Sequence, residues 1–588
     1  MKHNGDKLKQ NAQWRLSLLR IFLSLFAVAI VVRLFALQVQ QYDSYAALAS
    51  VRHDVSSILT PERGSILVRD SGDEEKTSGG YYPVAANKKV ENLAVSPYDV
   101  SDDAEVAGIL ANISGLEASK IQEILAQKEK KYTLLKKDLT EAEITAVAEA
   151  KKRKSLPASG VWLESEIKRY YPEGEFLSHA LGFLAFSGDD REGRYGLEKF
   201  FEELLAGSAG KLEDARGGST LDGFRKLVPA KNGSNLVLTI DRSIQNEVQR
   251  VLKDYVDRFS ADGGTAIVVD PKNGNVLAMA NEPSFNVNEF NKVEQVSIFS
   301  NSALQARYEP GSVLKPITMA SALDAGKVRP DDTYTDTGRV VVDGHVIQNS
   351  DLKSNGLQNM NQVLEKSLNT GMVYVSKQMG KDTMERYFKK FGLDEKTGIS
   401  LPGEIVGDLR NLNTKSDIAF ATAAFGQGVS VTPVELVQAY TAIASGGEMK
   451  KLNIISEIQH ADGSREVVEP QTVRRVISVI SAAEVGAMLV NVVENGHGRR
   501  AKVSGYYIAG KTGTAQVPLT DARGYDPDKT IGSFIGFGPV ENPAFLALVK
   551  IDNPQGVKFA ESTAAPAFGE IAKFILNYQQ IPPTRTLD

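Results

Sequence analysis

The 588-residue sequence contains no cysteine. This absence excludes disulfide bridges, thiolate metal sites and cysteine nucleophiles, and it leaves the redox compartment open. An excess of basic residues is also missing, because 68 Lys and Arg against 73 Asp and Glu give a formal net charge of −5. This balance argues against a general nucleic-acid binder. With 42% hydrophobic and 24% charged residues, the chain is ordinary globular material, long enough for two or three domains.

Long apolar runs are scarce, and the one that is present lies near the N-terminus. Residues 16–37 are apolar apart from Arg20, Arg33 and two serines. Such a run can span a bilayer, and the basic residues before it favour a cytoplasmic N-terminus. A cleaved signal peptide is the alternative. We predict a cytoplasmic tail over 1–15, an uncleaved signal anchor over 16–40, and export of everything that follows.

The exported part divides by composition into two regions. Residues 41–231 are charged and turn-rich, with Lys/Glu helices whose charge runs indicate solvated faces. Residues 232–578 begin with strand patterns, continue through a mainly helical stretch and return to strands. This order predicts an α+β domain in which helices cover an antiparallel sheet of three or more strands. Residues 579–588 form a polar tail.

A candidate nucleophile lies in "YEPGSVLKPITMASAL", where Ser312 and Lys315 are three residues apart. Pro316 cannot lie deep inside a helix, so Ser312 belongs to the first turn of the apolar helix that follows. Residues i and i+3 share one helix face, which predicts that the hydroxyl and the amine meet. The same Ser-x-x-Lys pattern occurs in turn-forming or charged contexts at Ser165/Lys168, Ser208/Lys211 and Ser350/Lys353.

A serine nucleophile needs a base, and none of the six histidines lies in a recognisable catalytic motif. Lys315 is then the natural base, provided that burial and a second cation lower its pKa from ~10.4 to about 7. Two lysines begin a Lys-Thr-Gly sequence. Lys396 reads as part of a loop, whereas Lys511 lies on a strand where Gly513 permits another backbone to approach. We therefore predict that Lys511 is the second cation.

Between these motifs, "LEKSLNTGM" places Ser367 and Asn369 two residues apart. Ser-x-x-Lys, Ser-x-Asn and Lys-Thr-Gly, in this order, resemble the three motifs of penicillin-binding proteins and serine β-lactamases. Further blocks are similar to those of class B penicillin-binding proteins, in the same order along the chain. They are "RGSILVRDSG", "RYYPEGEFLSHALGF", "GRYGLEKFFEELLAG", "GNVLAMANEPSFN", "FGQGVSVTPVEL" and "GSFIGFGP".

The resemblance implies an extended pedestal, or dimerisation-like, domain followed by a transpeptidase domain with the penicillin-binding/serine β-lactamase fold. It implies that Ser312 attacks the D-Ala-D-Ala carbonyl of a peptidoglycan stem peptide and that Lys315 takes its proton. The remaining motif residues would serve the same reaction: Ser367 as proton shuttle, Asn369 on the donor amide, Lys511 as the cation, Thr512 and Thr514 on the terminal carboxylate, and Gly513 in the same substrate-binding strand. Backbone N–H groups of Ser312 and Thr514 would form the oxyanion hole.

The resemblance also sets the expected partners. They are stem peptides as donor and amine acceptor, β-lactams, a membrane glycan polymerase and division-complex proteins, with no cofactor, metal or nucleic acid. The expected location is the bacterial cytoplasmic membrane, with the catalytic domain outside. The Glu-x-x-Leu-Asn motif of a β-lactamase and the acid motif of a bifunctional synthase do not occur in the expected places. We predict a septal role; an elongation role, or a β-lactam sensor or scaffold, is the alternative.

Overall fold

The computed structural model describes residues 61–69, 80–188, 190–214, 225–519 and 524–586. The predicted cytoplasmic tail and signal anchor, over 1–15 and 16–40, lie outside these residues. Within the described part of the chain, no helix is long and apolar enough to cross a membrane.

Strands and helices alternate along both halves of the chain. The strands of the N-terminal half are β1 (Ile66–Arg69), β2 (Tyr81–Val95), β3 (Thr133–Lys136), β4 (Val161–Tyr170), β5 (Phe183–Ser187), β6 (Asp190–Arg194), β7 (Lys211–Asp214), β8 (Arg225–Val228) and β9 (Asn235–Asp241). Its helices are α1 (Asp103–Ser114), α2 (Ala118–Leu125), α3 (Glu141–Lys152), α4 (Ser178–Leu181), α5 (Gly196–Phe200) and α6 (Glu202–Ala206).

The C-terminal half contains the longer helices. Its strands are β10 (Gly263–Val269), β11 (Val276–Glu282), β12 (Thr333–Asp336), β13 (Arg339–Val342), β14 (His345–Gln348), β15 (Gly356–Asn359), β16 (Glu448–Lys450), β17 (Ile455–Gln459), β18 (Arg465–Val467), β19 (Thr472–Arg475), β20 (Ala509–Pro518), β21 (Tyr525–Gly538) and β22 (Phe545–Asp552). Its helices are α7 (Arg242–Arg258), α8 (Ser302–Gln305), α9 (Lys315–Asp324), α10 (Met360–Glu365), α11 (Asn369–Met379), α12 (Lys381–Lys390), α13 (Asp417–Ala423), α14 (Pro433–Ala444), α15 (Val479–Asn495) and α16 (Ala564–Tyr578).

A seven-stranded sheet joins the two halves in the order β18-β17-β9-β1-β2-β3, with β4 also paired to β2. Strand β1 lies parallel to β9 and antiparallel to β2. Strand β9, which we predicted as the first strand of the 232–578 domain, therefore shares its sheet with β1 and β2. The boundary between 231 and 232 stays a prediction.

Three of the sequence blocks in the N-terminal half meet at a buried ion cluster. Glu198 is fully buried in helix α5, and its carboxylate contacts Arg63 and Arg169, each at 2.7 Å. The charges of the two guanidinium groups oppose the effect of burial and hold the pKa of Glu198 below its usual value. Removing one partner from such a cluster leaves a buried charge uncompensated, at a cost of about 3–5 kcal/mol. The cluster thus anchors the segment before β1 to strand β4 and helix α5.

A five-stranded antiparallel sheet forms the centre of the C-terminal half, in the order β11-β10-β22-β21-β20. Every residue of β10 is buried, because helices cover both faces. Ala266 and Val268 pack in one core with helices α7 and α16, whereas Ile267 and Val269 face the core that contains α9 and α14. Side chains alternate between the faces of a strand, which explains this division. The predicted antiparallel sheet covered by helices is confirmed.

The described residues form two compact units. The smaller unit contains 61–62, 207–214 and 225–233, and its regular part is the antiparallel pair of β7 and β8. The larger unit contains all the predicted site residues.

Candidate active site

Ser312 lies in a short 3-10 turn, Gly311–Leu314, directly before helix α9. Pro316 occupies the first turn of α9, where its missing N–H leaves no hydrogen bond broken. The Gly311 N–H donates to the Gly426 carbonyl at 3.0 Å, and the Tyr440 hydroxyl donates to the Val313 carbonyl at 2.5 Å. These bonds hold the turn that presents Ser312 from both sides.

Strand β20 lies at the edge of the five-stranded sheet and packs against this turn. A Cβ atom added at Gly513 would be 2.9 Å from the Pro310 carbonyl oxygen and 2.8 Å from the Val313 side chain. Real Cβ atoms essentially never approach other atoms so closely, so only glycine fits here. The predicted close approach at Gly513 is confirmed, and the backbone approached is the one that carries Ser312.

Lys315 does not bond to Ser312 directly. Its side chain is fully buried, and Nζ donates to the Ser367 carbonyl at 2.6 Å, the Ser367 hydroxyl at 3.1 Å and Asn369 Oδ1 at 2.8 Å. The Ser367 hydroxyl in turn donates to Ser312 Oγ at 3.1 Å. The predicted direct contact between Ser312 and Lys315 is therefore replaced by a hydrogen-bond chain through Ser367.

The direction of donation in this hydrogen-bond chain depends on whether Lys315 is charged or neutral. An ammonium donates three hydrogen bonds, and Lys315 Nζ makes three. A neutral amine must accept one of them, and of its three partner atoms only the Ser367 hydroxyl can donate, because the other two are a carbonyl oxygen and an amide oxygen. When Lys315 is neutral, protons point from Ser312 to Ser367 and from Ser367 to Lys315. The arrangement is then set to carry a proton away from Ser312.

Burial and charge favour this neutral form. Burial lowers the pKa of Lys315 well below its usual value, and the positive charge of Lys511 lowers it further. Lys511 is also fully buried, and its Nζ donates to the Thr512 carbonyl at 3.1 Å. Burial lowers the pKa of Lys511 to about 7, while the carboxylate of Glu561 acts in the opposite direction. Glu561 thus favours the protonated form of Lys511, and the charge of Lys511 in turn favours the neutral form of Lys315.

A cavity of about 330 Å³ opens in front of Ser312. Its lining combines three serines, two of them from the motifs, with two motif threonines and several charged or aromatic side chains: Ser312, Ser350, Asp351, Lys366, Ser367, His497, Thr512, Thr514, Phe559 and Glu561. The Thr514 Oγ1 accepts a hydrogen bond from the Ala560 N–H at 3.2 Å, which connects strand β20 to the segment that contains Phe559 and Glu561. Ser312 is itself only partly buried, so its side chain can be reached from this cavity.

The structure brings the predicted site residues together from three segments. Ser312 lies in the turn before α9 and Lys315 begins that helix, Ser367 lies just before α11 and Asn369 begins it, and Lys511 to Thr514 lie on β20. Asn369 links Lys315 to strand β14. Its Oδ1 accepts a hydrogen bond from Lys315, and its Nδ2 donates to the Gln348 carbonyl at 2.9 Å.

The other Ser-x-x-Lys and Lys-Thr-Gly candidates lie in different parts of the structure. Lys396 is exposed in a loop away from the cavity lining, as the loop prediction requires. Ser165 lies on β4 and donates to Glu91, and Ser208 belongs to the smaller unit. Ser350, however, lines the active-site cavity, although its turn-forming sequence gave no reason to place it there.

The sequence also did not predict four ionisable residues of the cavity, namely His497, Glu561, Asp351 and Lys366. His497 contacts Glu561, and Asp351 and Lys366 line the same space. His497 and Glu561 are 64 residues apart in the chain, so no local motif connects them. The site as a whole pairs a serine with a buried amine base and a second buried lysine, which suits acyl transfer to and from a serine ester.

Two family models match this chain. One, described as penicillin binding protein transpeptidase domain, matches residues 264–573. The other, described as penicillin-binding protein dimerisation domain, matches residues 58–238.

Named relatives match along most of the chain. Stage V sporulation protein D of Bacillus subtilis is 32% identical over 576 residues, which cover 96% of this chain and 86% of that protein. Peptidoglycan D,D-transpeptidase FtsI of Escherichia coli K12 is 32% identical over 433 residues, covering 73% of this chain and 70% of that protein. The crystal structure of penicillin binding protein 3 from Mycobacterium tuberculosis with aztreonam superposes with a TM-score of 0.68 at 26% identity, covering 90% of this chain and 98% of that one.

Proposed function

The chain belongs to the class B penicillin-binding proteins, and from this membership we propose that it is a peptidoglycan D,D-transpeptidase. The proposed substrates are two stem peptides, one donating a D-Ala-D-Ala terminus and the other an amine. The enzyme joins them through an ester on Ser312, and β-lactams acylate the same serine.

Acylation follows the hydrogen-bond chain of the site. Ser312 Oγ attacks the carbonyl carbon between the two D-alanines while its proton moves to Ser367 and the Ser367 proton moves to neutral Lys315. The C–N bond then breaks, and the departing D-Ala amine receives a proton back through the same groups. Such general acid–base transfer contributes about 10²- to 10⁴-fold in rate.

The edge strand supplies binding and charge. Thr512 and Thr514 line the cavity, and their hydroxyls suit the terminal carboxylate of the donor peptide. Lys511 Nζ donates to the Thr512 carbonyl, which places its positive charge next to that threonine. Asn369 would hold the donor amide, and the backbone N–H groups of Ser312 and Thr514 would stabilise the oxyanion, each contributing a few kcal/mol.

The observation that carries the proposal is the chain Ser312–Ser367–Lys315 beside buried Lys511. The test is labelling of the purified protein with a fluorescent penicillin, together with cross-linking of a stem-peptide substrate. Wild type should label and cross-link, and Ser312→Ala should do neither. Labelling that survives in Ser312→Ala would contradict the proposed nucleophile.

We further propose that residues 16–40 anchor the protein in the cytoplasmic membrane with the catalytic domain outside. The apolar run and the basic residues before it support this topology. Membrane fractionation and protease digestion of intact spheroplasts test it: the catalytic domain should be digested from outside. A soluble cytosolic protein would contradict it.

Within this activity we propose a septal role, with a membrane glycan polymerase and division-complex proteins as partners. The resemblance of the sequence blocks, taken as a set, to those of septal transpeptidases supports it. Depletion in the native organism should block septation while growth continues. Loss of cell width control with normal septa would instead indicate elongation.

A further inference from the structure

A histidine–glutamate pair lies in the wall of the active-site cavity. His497 follows helix α15, and Glu561 belongs to the 3-10 turn Ala560–Ser562 before helix α16. His497 Nδ1 contacts Glu561 Oε1, and both side chains line the cavity that contains Ser312. Their side chains are 46% and 43% exposed, so the pair faces solvent as well as substrate.

The contact fixes which nitrogen of His497 is available. The hydrogen bond from His497, the charge that this ring carries when protonated, and the charges of Lys511 and Arg500 hold the pKa of Glu561 below its usual value, so its carboxylate is ionised and can only accept. Nδ1 must therefore carry the proton that it donates to Glu561. In the neutral ring, Nε2 is left with a lone pair. This is the arrangement of an oriented general base.

The reaction needs a base that the acylation machinery does not supply. An acceptor side-chain amine is an ammonium at neutral pH and has no lone pair with which to attack the ester. Lys315 and Ser367 must return a proton to Ser312 Oγ when the ester breaks, so they are committed to that transfer. The first proton of the ammonium has to leave by another route.

We propose that His497, oriented by Glu561, is the catalytic base that receives the acceptor ammonium and takes its first proton. This inference rests on the proposed transpeptidase function and assigns the acceptor subsite to the part of the cavity beside His497 and Glu561. The acceptor class is a stem peptide with a cationic side-chain amine.

The protons balance over two transfers. His497 Nε2 takes one proton from the ammonium and releases it to solvent. The neutral amine attacks the carbonyl carbon of the Ser312 ester, forming a C–N bond as the C–Oγ bond breaks. The second amine proton passes through Lys315 and Ser367 to Ser312 Oγ, which regenerates the free hydroxyl. The products are an amide cross-link and the starting enzyme.

The charges around the pair suit a cation that approaches from solvent. Glu561 and Asp351 are carboxylates on the cavity wall, with Lys366 also on that wall. The positive charges of Lys511 on β20 and of Arg500 in the turn Arg499–Ala501 also act on Glu561. The carboxylates can attract the ammonium into the cavity that contains the Ser312 ester.

Two acceptors separate this role from a structural one. The donor is a D-alanyl thioester, which acylates Ser312, and the acceptors are Nα-acetyl-lysinamide and hydroxylamine. The lysine amine is an ammonium at neutral pH, whereas hydroxylamine is largely unprotonated and needs no first deprotonation. The variants are His497→Gln and Glu561→Gln. The control is His460→Gln, which breaks another histidine–glutamate pair, on the seven-stranded sheet.

In His497→Gln, transfer to the lysine amine should fall by about 10²-fold, while transfer to hydroxylamine and labelling by fluorescent penicillin stay within about threefold. Glu561→Gln should give a smaller loss with the same preference between acceptors, and His460→Gln should match wild type. Equal losses for both acceptors, or an unchanged lysine reaction, would overturn the role of His497. A wild-type protein that forms no hydroxamate would overturn the proposed function instead.

Discussion

Among the residues that the structure describes, the hydroxyl of Ser367 is the only group hydrogen-bonded to both the nucleophile and its base, and removing it should slow acylation sharply. In Ser367→Ala, Lys315 Nζ keeps its bonds to the Ser367 carbonyl and to Asn369, so the base stays in place. What is lost is the transfer from Ser312 Oγ over two contacts of 3.1 Å. We expect the second-order rate constant for benzylpenicillin acylation to fall by about 10²- to 10⁴-fold, which corresponds to ~3–5 kcal/mol in the barrier.

The backbone of Ser367 provides a matched control. Its φ angle is 54°, in the left-handed region that glycine adopts without strain. Ser367→Gly therefore removes the same hydroxyl while relieving about 1–2 kcal/mol of backbone strain. Both variants should acylate equally slowly in a rapid-quench assay, although the glycine variant should be the more stable. A Ser367→Ala rate within about threefold of wild type would show that Lys315 takes the proton directly, and a fast glycine variant would assign the defect to the backbone.

Three further predictions concern the lysines. Lys511→Ala should slow penicillin acylation by about 10²-fold or more, whereas exposed Lys396→Ala should leave it unchanged; equal effects would refute the choice between the two Lys-Thr-Gly sequences. Lys315→Arg keeps a cation that cannot act as a base, so its acylation rate should also fall by about 10²-fold; a rate near that of wild type would mean that Lys315 supplies only charge. The wild-type acylation rate should rise with pH as Lys315 loses its proton and fall again as Lys511, whose pKa is about 7, loses its own. A penicillin ester without the free carboxylate should lack the falling limb, and a rate that keeps rising into strongly alkaline pH would contradict the assignment.

Steric rules that act within a few residues were sufficient to predict where helix α9 begins and that another backbone approaches strand β20 at Gly513. Pro316 restricts where a helix can begin, and the structure places the turn that contains Ser312 directly before that point. Gly513 marks a close backbone approach, because a side chain there would collide with the Ser312 turn. Both features depend on steric limits within a few residues, which a sequence expresses directly.

The connections within the site could not be predicted in the same way. The i, i+3 spacing places Ser312 and Lys315 on one helix face, but the packing of α11 brings Ser367 and Asn369 to Lys315 first. The left-handed backbone of Ser367 has no sequence signal, since glycine and asparagine are the residues that usually indicate it.

The cavity residues outside the three motifs were even less predictable from the sequence. Ser350 follows a short hairpin strand, and His497 and Glu561 approach the cavity from the ends of two different helices. None of these residues belongs to a motif whose spacing carries chemistry. Their meeting depends on how α15 and α16 pack on the five-stranded sheet, and only the folded chain specifies that.

The central claim is that Ser312 is the residue acylated. After incubation of the protein with benzylpenicillin, intact-mass and peptide-level mass spectrometry should find one penicilloyl group, on the peptide that contains Ser312, and Ser312→Ala should abolish it. An adduct on Ser350, which lines the same cavity, or no adduct on the wild-type protein, would contradict the account.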